Sequence, residues 1–261
     1  MIYKAKKSLG QHFLSDKNLA EEIVSFLPGL PDNDIIEIGP GKGILTDFLF
    51  KRFGKRLCLV ELDSEFVIDL KYRFSPIAGR IIEGNALRIN LSEISDHQIE
   101  VIGNFPYNIS TQLIFYVLDN HEKVDVVLGM FQKEVAQRIH SSHGSKKYGI
   151  LSVLFQAVYD VEYMLELGPE SFNPRPKVDS AVIRCTHKKD YLPEYDPSVL
   201  HQVVKMAFNQ RRKMMRNSLK SLPEFEKIKN SVLMTKRPEQ VSLLQFEELA
   251  LLLTNIRNEL R

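Results

Sequence analysis

Short apolar β-type runs alternate with helix-like stretches through the first two-thirds of the chain, and this order constrains the fold more than any other feature. The runs fall at residues 34–38, 56–62, 80–83, 100–103, 124–130, 161–167 and 180–185. Several are rich in Val and Ile, as strands tend to be. Between them, residues 17–27, 43–53, 65–74, 110–120, 133–141 and 150–159 read as helices. Such alternation implies parallel βαβ units and an α/β fold, a Rossmann-like, doubly wound sheet with helices on its faces. The last two runs are joined only by a short proline-rich stretch, so they read as a hairpin at one end of the sheet.

The pattern breaks after Cys185. Residues 188–197 hold charges, two prolines and no periodicity, and read as a linker. Beyond it, residues 197–209, 211–221 and 244–260 are helical in pattern. The expected division is therefore an α/β domain over residues 1–188 and a small all-helical domain over residues 189–261. No apolar run approaches the roughly 20 residues that a membrane span needs. The start, Met1-Ile2-Tyr3-Lys4, lacks a signal-peptide core. A soluble, cytoplasmic protein with no membrane partner is the expectation. Cys58 and Cys185, the two cysteines, both sit in strand-like runs and read as buried reduced thiols. The seven histidines show no metal-ligand spacing, so no metal is expected.

The net charge of +2 says little, but its distribution says more. Lys4, Lys6 and Lys7 open the chain without an acidic neighbour, and Lys205, Arg211, Arg212, Lys213, Arg216 and Lys220 cluster late in it. Such clusters can follow phosphates; in isolation a solvated helix face explains them as well.

Ile35-Ile36-Glu37-Ile38-Gly39-Pro40-Gly41-Lys42-Gly43 carries an apolar strand into a glycine-rich turn at the start of a helix. Glycines there allow a ligand to approach the backbone closely. The spacing is G-x-G-x-G rather than the G-x-G-x-x-G of dinucleotide sites. It resembles the first motif of S-adenosylmethionine-dependent methyltransferases, in which an acidic residue, here Glu37, can face the methionine ammonium. The next run ends in Glu61-Leu62-Asp63. A carboxylate at that strand end can accept both ribose hydroxyl hydrogens, and Glu61 is the choice over Asp63. The third run ends in Gly84-Asn85, where methyltransferases of this type often carry Asp. An asparagine carbonyl can take the same hydrogen bond from an adenine amino group, without charge assistance.

Asn104-Phe105-Pro106-Tyr107 follows the fourth run, at the carboxyl edge where ligands bind in such sheets. It resembles the (N/D)-x-P-Y signature of enzymes that methylate planar amino groups. An adenine amino nitrogen shares its lone pair with the ring and is a poor nucleophile. Two acceptors aimed at its hydrogens favour a pyramidal nitrogen and the positive charge that develops during attack. The Asn104 side-chain oxygen and the Pro106 carbonyl can supply them, and Tyr107 offers a stacking face worth about 1–3 kcal/mol per base.

Further segments extend the likeness over nearly the whole chain. They are Ser8-Leu9-Gly10-Gln11-His12-Phe13-Leu14, Gln132-Lys133-Glu134-Val135, Gly144-Ser145-Lys146-Lys147-Tyr148-Gly149, Phe172-Asn173-Pro174-Arg175-Pro176-Lys177-Val178-Asp179-Ser180-Ala181-Val182, Ala207-Phe208-Asn209-Gln210-Arg211-Arg212-Lys213 and Arg216-Asn217-Ser218-Leu219. Together these resemble the ribosomal RNA adenine dimethyltransferase family. Two positions depart from it: His12 stands where Asn is commoner, and Phe105 where Leu is usual.

The resemblance implies S-adenosylmethionine as cofactor, with S-adenosylhomocysteine as product. It implies His12, Leu14, Gly39, Glu61, Asn85 and Asn104 around that cofactor, and Phe172 opposite Tyr107 as the second face for the adenine. It implies four methyl transfers to two adjacent adenines near the 3′ end of 16S rRNA, in the small ribosomal subunit, by a monomer. Arg211, Arg212, Lys213 and Arg216 would contact RNA. A relative that methylates large-subunit RNA shares the cofactor and Asn-x-Pro-Tyr motifs, and a ribosome-assembly factor that mainly binds is the other alternative.

Overall fold

The structure, a computed structural model, describes residue 6, residues 10–189 and residues 191–260. Lys4, Lys7, Ser8 and Leu9, named above, lie outside the described residues. The strands are β1 (Phe13–Leu14), β2 (Asp34–Ile38), β3 (Leu57–Glu61), β4 (Ile81–Glu83), β5 (Ile99–Asn104), β6 (Val124–Gln132), β7 (Tyr159–Leu167), β8 (Phe172–Asn173) and β9 (Ser180–His187). The helices are α1 (Lys17–Ser25), α2 (Ile44–Phe53), α3 (Ser64–Arg73), α4 (Leu91–Ile94), α5 (Ser110–Asp119), α6 (Lys133–His140), α7 (Ile150–Val158), α8 (Pro197–Asn209), α9 (Met215–Ser218), α10 (Phe225–Ile228) and α11 (Leu243–Glu259). Among the described residues no helix is long and apolar enough to cross a membrane.

Seven strands form one sheet in the order β4-β3-β2-β5-β6-β9-β7. β2 runs parallel to β3 and to β5, and β4 and β6 extend the parallel pairing on either side. β9 is antiparallel to β6 and lies beside β7 at the sheet's end, as the proline-rich connection requires. Every residue of β2 and β3 is buried, and both are apolar apart from Asp34, Glu37 and Glu61. Chain order reverses between β2 and β5, and the crevice outside the carboxyl ends of strands flanking such a reversal is where ligands sit. Asp16 and Asp63 start α1 and α3 by accepting N–H groups of the first turn, as N-caps do. The thiols of Cys58 and Cys185 are free and buried, and burial pushes the Cys58 thiol up to about 11.

The chain divides into two compact units that are not contiguous in sequence: residues 1–136 with 160–187, and residues 137–159 with 188–261. The second unit therefore takes in α7 as well as everything past residue 188. Its core comes from helical stripes, Val199, Leu200, Val203, Val204 and Ala207 on α8 and Phe246, Leu249, Ala250, Leu253 and Ile256 on α11. Phe208 packs between Tyr148 and Phe246, with ring centroids 5.8 and 5.9 Å away. The helix expected over residues 211–221 shrinks to the four residues of α9. Residues 211–213 form a turn instead, and the N–H of Met215, a fully buried residue, donates to the Lys236 carbonyl at 2.8 Å.

Two buried details of the main sheet generate measurable consequences. The Phe105 ring, wholly buried and 5.1 Å from that of Phe131, lies over Gly103 and Gly129 of adjacent strands, where a Cβ would overlap it. The pair of glycines is what lets Phe stand where Leu is usual. Gly129→Ala should cost about 1–3 kcal/mol in urea denaturation, the usual range for overpacking, with Phe105→Leu restoring part of the loss. Wild-type stability in the single variant would show the ring has room to move.

Glu37, in the centre of β2, is 1% exposed and accepts the Thr46 hydroxyl at 2.6 Å. Burial pushes its carboxyl up to about 8, against the Thr46 bond, with Glu61 adding to the rise. The folded state thus holds a proton that the unfolded chain releases near 4.5. The associated stability is complete below that value and is lost as pH rises through about 8. Glu37→Gln should therefore gain on the wild type when melting temperatures are compared at pH 6 and pH 9. Parallel pH profiles for the two proteins would contradict this.

Candidate active site

Three strand ends and one turn converge on a cleft of about 820 Å³ at the carboxyl edge of the sheet. Gly39 and Gly41 after β2, Glu61 ending β3, Asn85 after β4 and Asn104 ending β5 all line it, together with His12 and Phe13 from the amino-terminal segment. Gly39 and Gly41 have φ of +69° and +51°, a region that side chains rarely adopt. A Cβ on Gly39 would touch only Pro106, at 3.9 Å, so it would project into space that the cleft uses.

Glu61 is 6% exposed. One carboxylate oxygen accepts the Gly41 N–H and the other the Asp63 N–H, both at 2.9 Å. Burial raises its carboxyl above the ordinary range, and these backbone bonds oppose that rise. Each oxygen keeps a lone pair, so a ribose diol at this edge would find two acceptors. The Asn85 carbonyl oxygen accepts the Leu87 N–H at 3.0 Å, which turns the amide across the cleft wall and keeps one lone pair for an amino group. A cofactor with a ribose, an adenine and a cationic tail fits this donor set. Among the described residues, Glu61 is the single Asp, Glu, Lys or Arg in the lining.

Asn104 is oriented by its neighbour. Its amide nitrogen donates to the His12 carbonyl at 2.6 Å, and because that carbonyl can only accept, the Asn104 Oδ1 is the end left for the cleft. The His12 ring in turn donates from Nδ1 to the Pro174 carbonyl at 2.7 Å and stacks on Tyr107, centroids 5.4 Å apart. The Tyr107 hydroxyl pairs with the Ser180 Oγ at 2.5 Å, and burial raises the phenol above its usual value. One face of Tyr107 is thus covered by the imidazole.

The Pro106 carbonyl, expected as the second acceptor, has other partners in this structure. It accepts the Ile109 N–H at 3.1 Å and the Ser110 hydroxyl at 3.0 Å, because it closes the turn that opens α5. Both of its lone pairs are taken. The Phe105 carbonyl, one residue earlier, has no hydrogen-bond partner among the described residues, and Phe105 lines the cleft.

Two further expectations meet the pairing of β1 with β8, in which Leu14 faces Phe172 and Phe13 faces Asn173. Leu14 is 4% and Phe172 2% exposed, and both pack in the sheet core, away from the cleft. Phe13 takes the place expected of Leu14, and Asn173 and Pro174 are the residues of the β8 segment that reach open space beside Tyr107. Phe172 therefore does not form a second face opposite Tyr107 in this structure. Glu37, expected to face a methionine ammonium, faces Thr46 instead and does not line the cleft.

In the second unit, Arg211 is committed to Glu239 at 2.9 Å and to the Ser145 carbonyl, while Arg212, Lys213 and Arg216 are exposed. The sequence reading missed Ser180 and Phe13. A signal existed for Ser180, a polar residue opening an otherwise apolar strand. Among the described residues no group of three or more His, Cys, Asp or Glu is placed to hold a metal ion.

Known proteins resemble the chain over nearly its full length. A family model described as Ribosomal RNA adenine dimethylase matches residues 2–255. A Ribosomal RNA small subunit methyltransferase A of Bacteroides fragilis is 46% identical over 248 residues, 94% of this chain and 90% of that protein. Its counterpart in Parabacteroides distasonis is 45% identical over 256 residues, 96% and 94% of the two chains. Among solved structures, a dimethyladenosine transferase from Plasmodium falciparum superposes with a TM-score of 0.80 at 22% identity, covering 95% of this chain and 98% of that one. The 23S rRNA methyltransferase ErmE follows at 0.69 and 21%, covering 91% and 99%. These two show the common fold. The chain belongs to the ribosomal RNA adenine dimethylase family, enzymes that use S-adenosylmethionine to methylate RNA.

Proposed function

We propose that the chain methylates N6 of two adjacent adenines near the 3′ end of 16S rRNA to dimethyladenosine, in small ribosomal subunits maturing in the cytoplasm. It works as a monomer. The observation that carries this reading is the fixed orientation of Asn104, whose Oδ1 is left facing the cleft because its nitrogen is held by the His12 carbonyl. Curated relatives at 45–46% identity that are small-subunit methyltransferases support the choice of subunit over the large-subunit alternative.

Glu61 receives the ribose and Asn85 the adenine amino group of S-adenosylmethionine, with Gly39 giving room for the chain between them. Held by these residues, S-adenosylmethionine would supply a sulfonium-activated methyl group, with the neutral thioether of S-adenosylhomocysteine as the leaving group. Asn104 Oδ1 and the Phe105 carbonyl accept the two N6 hydrogens, which localises the lone pair on nitrogen. They stabilise its positive charge until one proton passes to water. Tyr107, anchored by Ser180, stacks the base on the face that His12 leaves uncovered. After one transfer a single N6 hydrogen remains, so one acceptor is enough for the second. No side chain has to serve as a strong base, because an alkylated amino nitrogen is highly acidic.

Arg212, Lys213 and Arg216, exposed in the second unit, contact RNA phosphates, whereas Arg211 holds its own unit together. Replacing Arg212 and Lys213 by Gln should flatten the salt dependence of particle binding by roughly 0.7–0.9 in slope for each phosphate left without its cation. An unchanged slope removes them from the interface.

Labelled S-adenosylmethionine incubated with undermodified small subunits should give dimethyladenosine, and large-subunit RNA should stay unlabelled. The reverse pattern would assign the chain to the other subunit. Asn104→Ala should lose about 2.7–4 kcal/mol of transition-state stabilisation, roughly 10²–10³ in kcat, while still binding particles. An equal loss of binding and turnover would assign Asn104 a role in holding the fold instead.

A further inference from the structure

A second, broader cleft of about 1790 Å³ adjoins the first and shares Gly10, Gln11, His12, Phe13 and Tyr107 with it. Its own walls add Lys42 from the glycine turn, Gln132 from the end of β6, and residues 173–178 from the segment after β8. Among the described residues that line it, Lys42, Arg175 and Lys177 are cations and none is an acid. The chain as a whole carries 35 basic and 33 acidic residues, so this cleft is a local segregation of positive charge.

The three cations are exposed, and no carboxylate lies within ion-pair distance of any of them among the described residues. The nearest acid in sequence, Asp179, is engaged by Lys133, which also binds Glu166 at 2.6 Å. Lys42 holds its Nζ 4.8 Å above the Phe13 ring, a cation–π contact that keeps it at the boundary of the two clefts. Unpaired cations beside stacking aromatic faces are what a single-stranded nucleic acid requires: phosphates on the charges and bases on the rings.

We propose that this cleft seats the backbone of the single-stranded RNA that carries the target adenine, with Lys42, Arg175 and Lys177 on the flanking phosphates. The proposal rests on the reading of the chain as an RNA adenine methyltransferase and adds residues that hold the substrate strand at the site of transfer. The cluster after Asn209 belongs to the other unit. A single-stranded segment, rather than a duplex, is the occupant because the wall shared with the first cleft is Tyr107, where a base must leave its stack to reach the methyl group.

The test is binding of the full-length protein to a short single-stranded oligoribonucleotide with two adjacent adenines, across a salt series, with cofactor affinity measured separately by calorimetry. Lys42→Gln, Arg175→Gln and Lys177→Gln combined should lower the salt slope by about 2, since each phosphate neutralised on a single strand contributes about 0.7. Cofactor affinity should remain within about threefold of the wild type, and Lys177→Arg should keep the wild-type slope. On small subunits the triple variant should raise KM for the particle and retain most of kcat at saturation. An unchanged salt slope in the triple variant overturns the proposal, as does loss of cofactor binding in parallel with RNA binding, which would mark a collapsed site. If the wild type transfers no methyl group to any RNA, the functional reading fails first. If it transfers normally and the triple variant matches it in slope and KM, the phosphate cleft alone fails.

Discussion

The Glu61 carboxylate joins the ends of two parallel strands, taking the N–H of Gly41 after β2 on one oxygen and that of Asp63 after β3 on the other. A carboxylate at 6% exposure would be costly without such partners, since burial disfavours its charge. The bonding continues outward. Asp63, 5% exposed, is held by Lys6 at 2.8 Å and reached by Gln11 at 3.5 Å; burial pushes its carboxyl up, and Lys6, the Glu65 N–H and Gln11 together hold it below its usual value. One residue past Gln11, the His12 carbonyl takes the Asn104 amide from β5. Strand ends, glycine turn and amino-terminal segment are thus connected by protein groups alone. Acceptors fixed in this way need little reorganisation when charge develops near them, which is the condition for electrostatic catalysis.

Much of this architecture was legible in the sequence because its cause is local. Parallel strands buried on both faces are largely apolar, and β2 was readable to the residue at both ends despite Asp34 and Glu37. Helices α1, α2, α3 and α5 began where an Asp cap, a glycine turn or an Asn-Pro-Tyr turn stood in the chain. Gly39, Glu61, Asn85 and Asn104 follow from the same logic, since a residue at the carboxyl end of a strand in such a sheet has nowhere else to go. The basic stretch after Asn209 was less readable. Its spacing suits a helix, but Arg211 finds Glu239 and the Ser145 carbonyl, both distant in sequence, and the backbone turns instead.

The structure departs from the sequence expectations where direction rather than position matters. Leu14 and Phe172 lie in two-residue strands, and in a strand a shift of one residue exchanges the faces, so Phe13 and Asn173 reach the clefts in their place. Likewise the Pro106 carbonyl belongs to the right tetrapeptide but points toward the helix it initiates, where the Ile109 N–H and the Ser110 hydroxyl claim it. A family motif transfers a segment faithfully. It cannot transfer which atom of the segment is free, because that depends on bonds made by residues further along.

The two clefts differ in charge in a way that suits two unlike ligands. Among the described residues, the inner one is lined by a single carboxylate and no Lys or Arg, the outer one by three cations and no carboxylate. S-adenosylmethionine carries its positive charge at the sulfonium and ammonium, and RNA carries negative charge on every phosphate. Each ligand would be repelled from the other's cleft, so the field sorts them before any specific bond forms. His12, Phe13 and Tyr107 form the wall common to both clefts. An extruded base is uncharged and can cross that wall without the electrostatic cost a phosphate would meet.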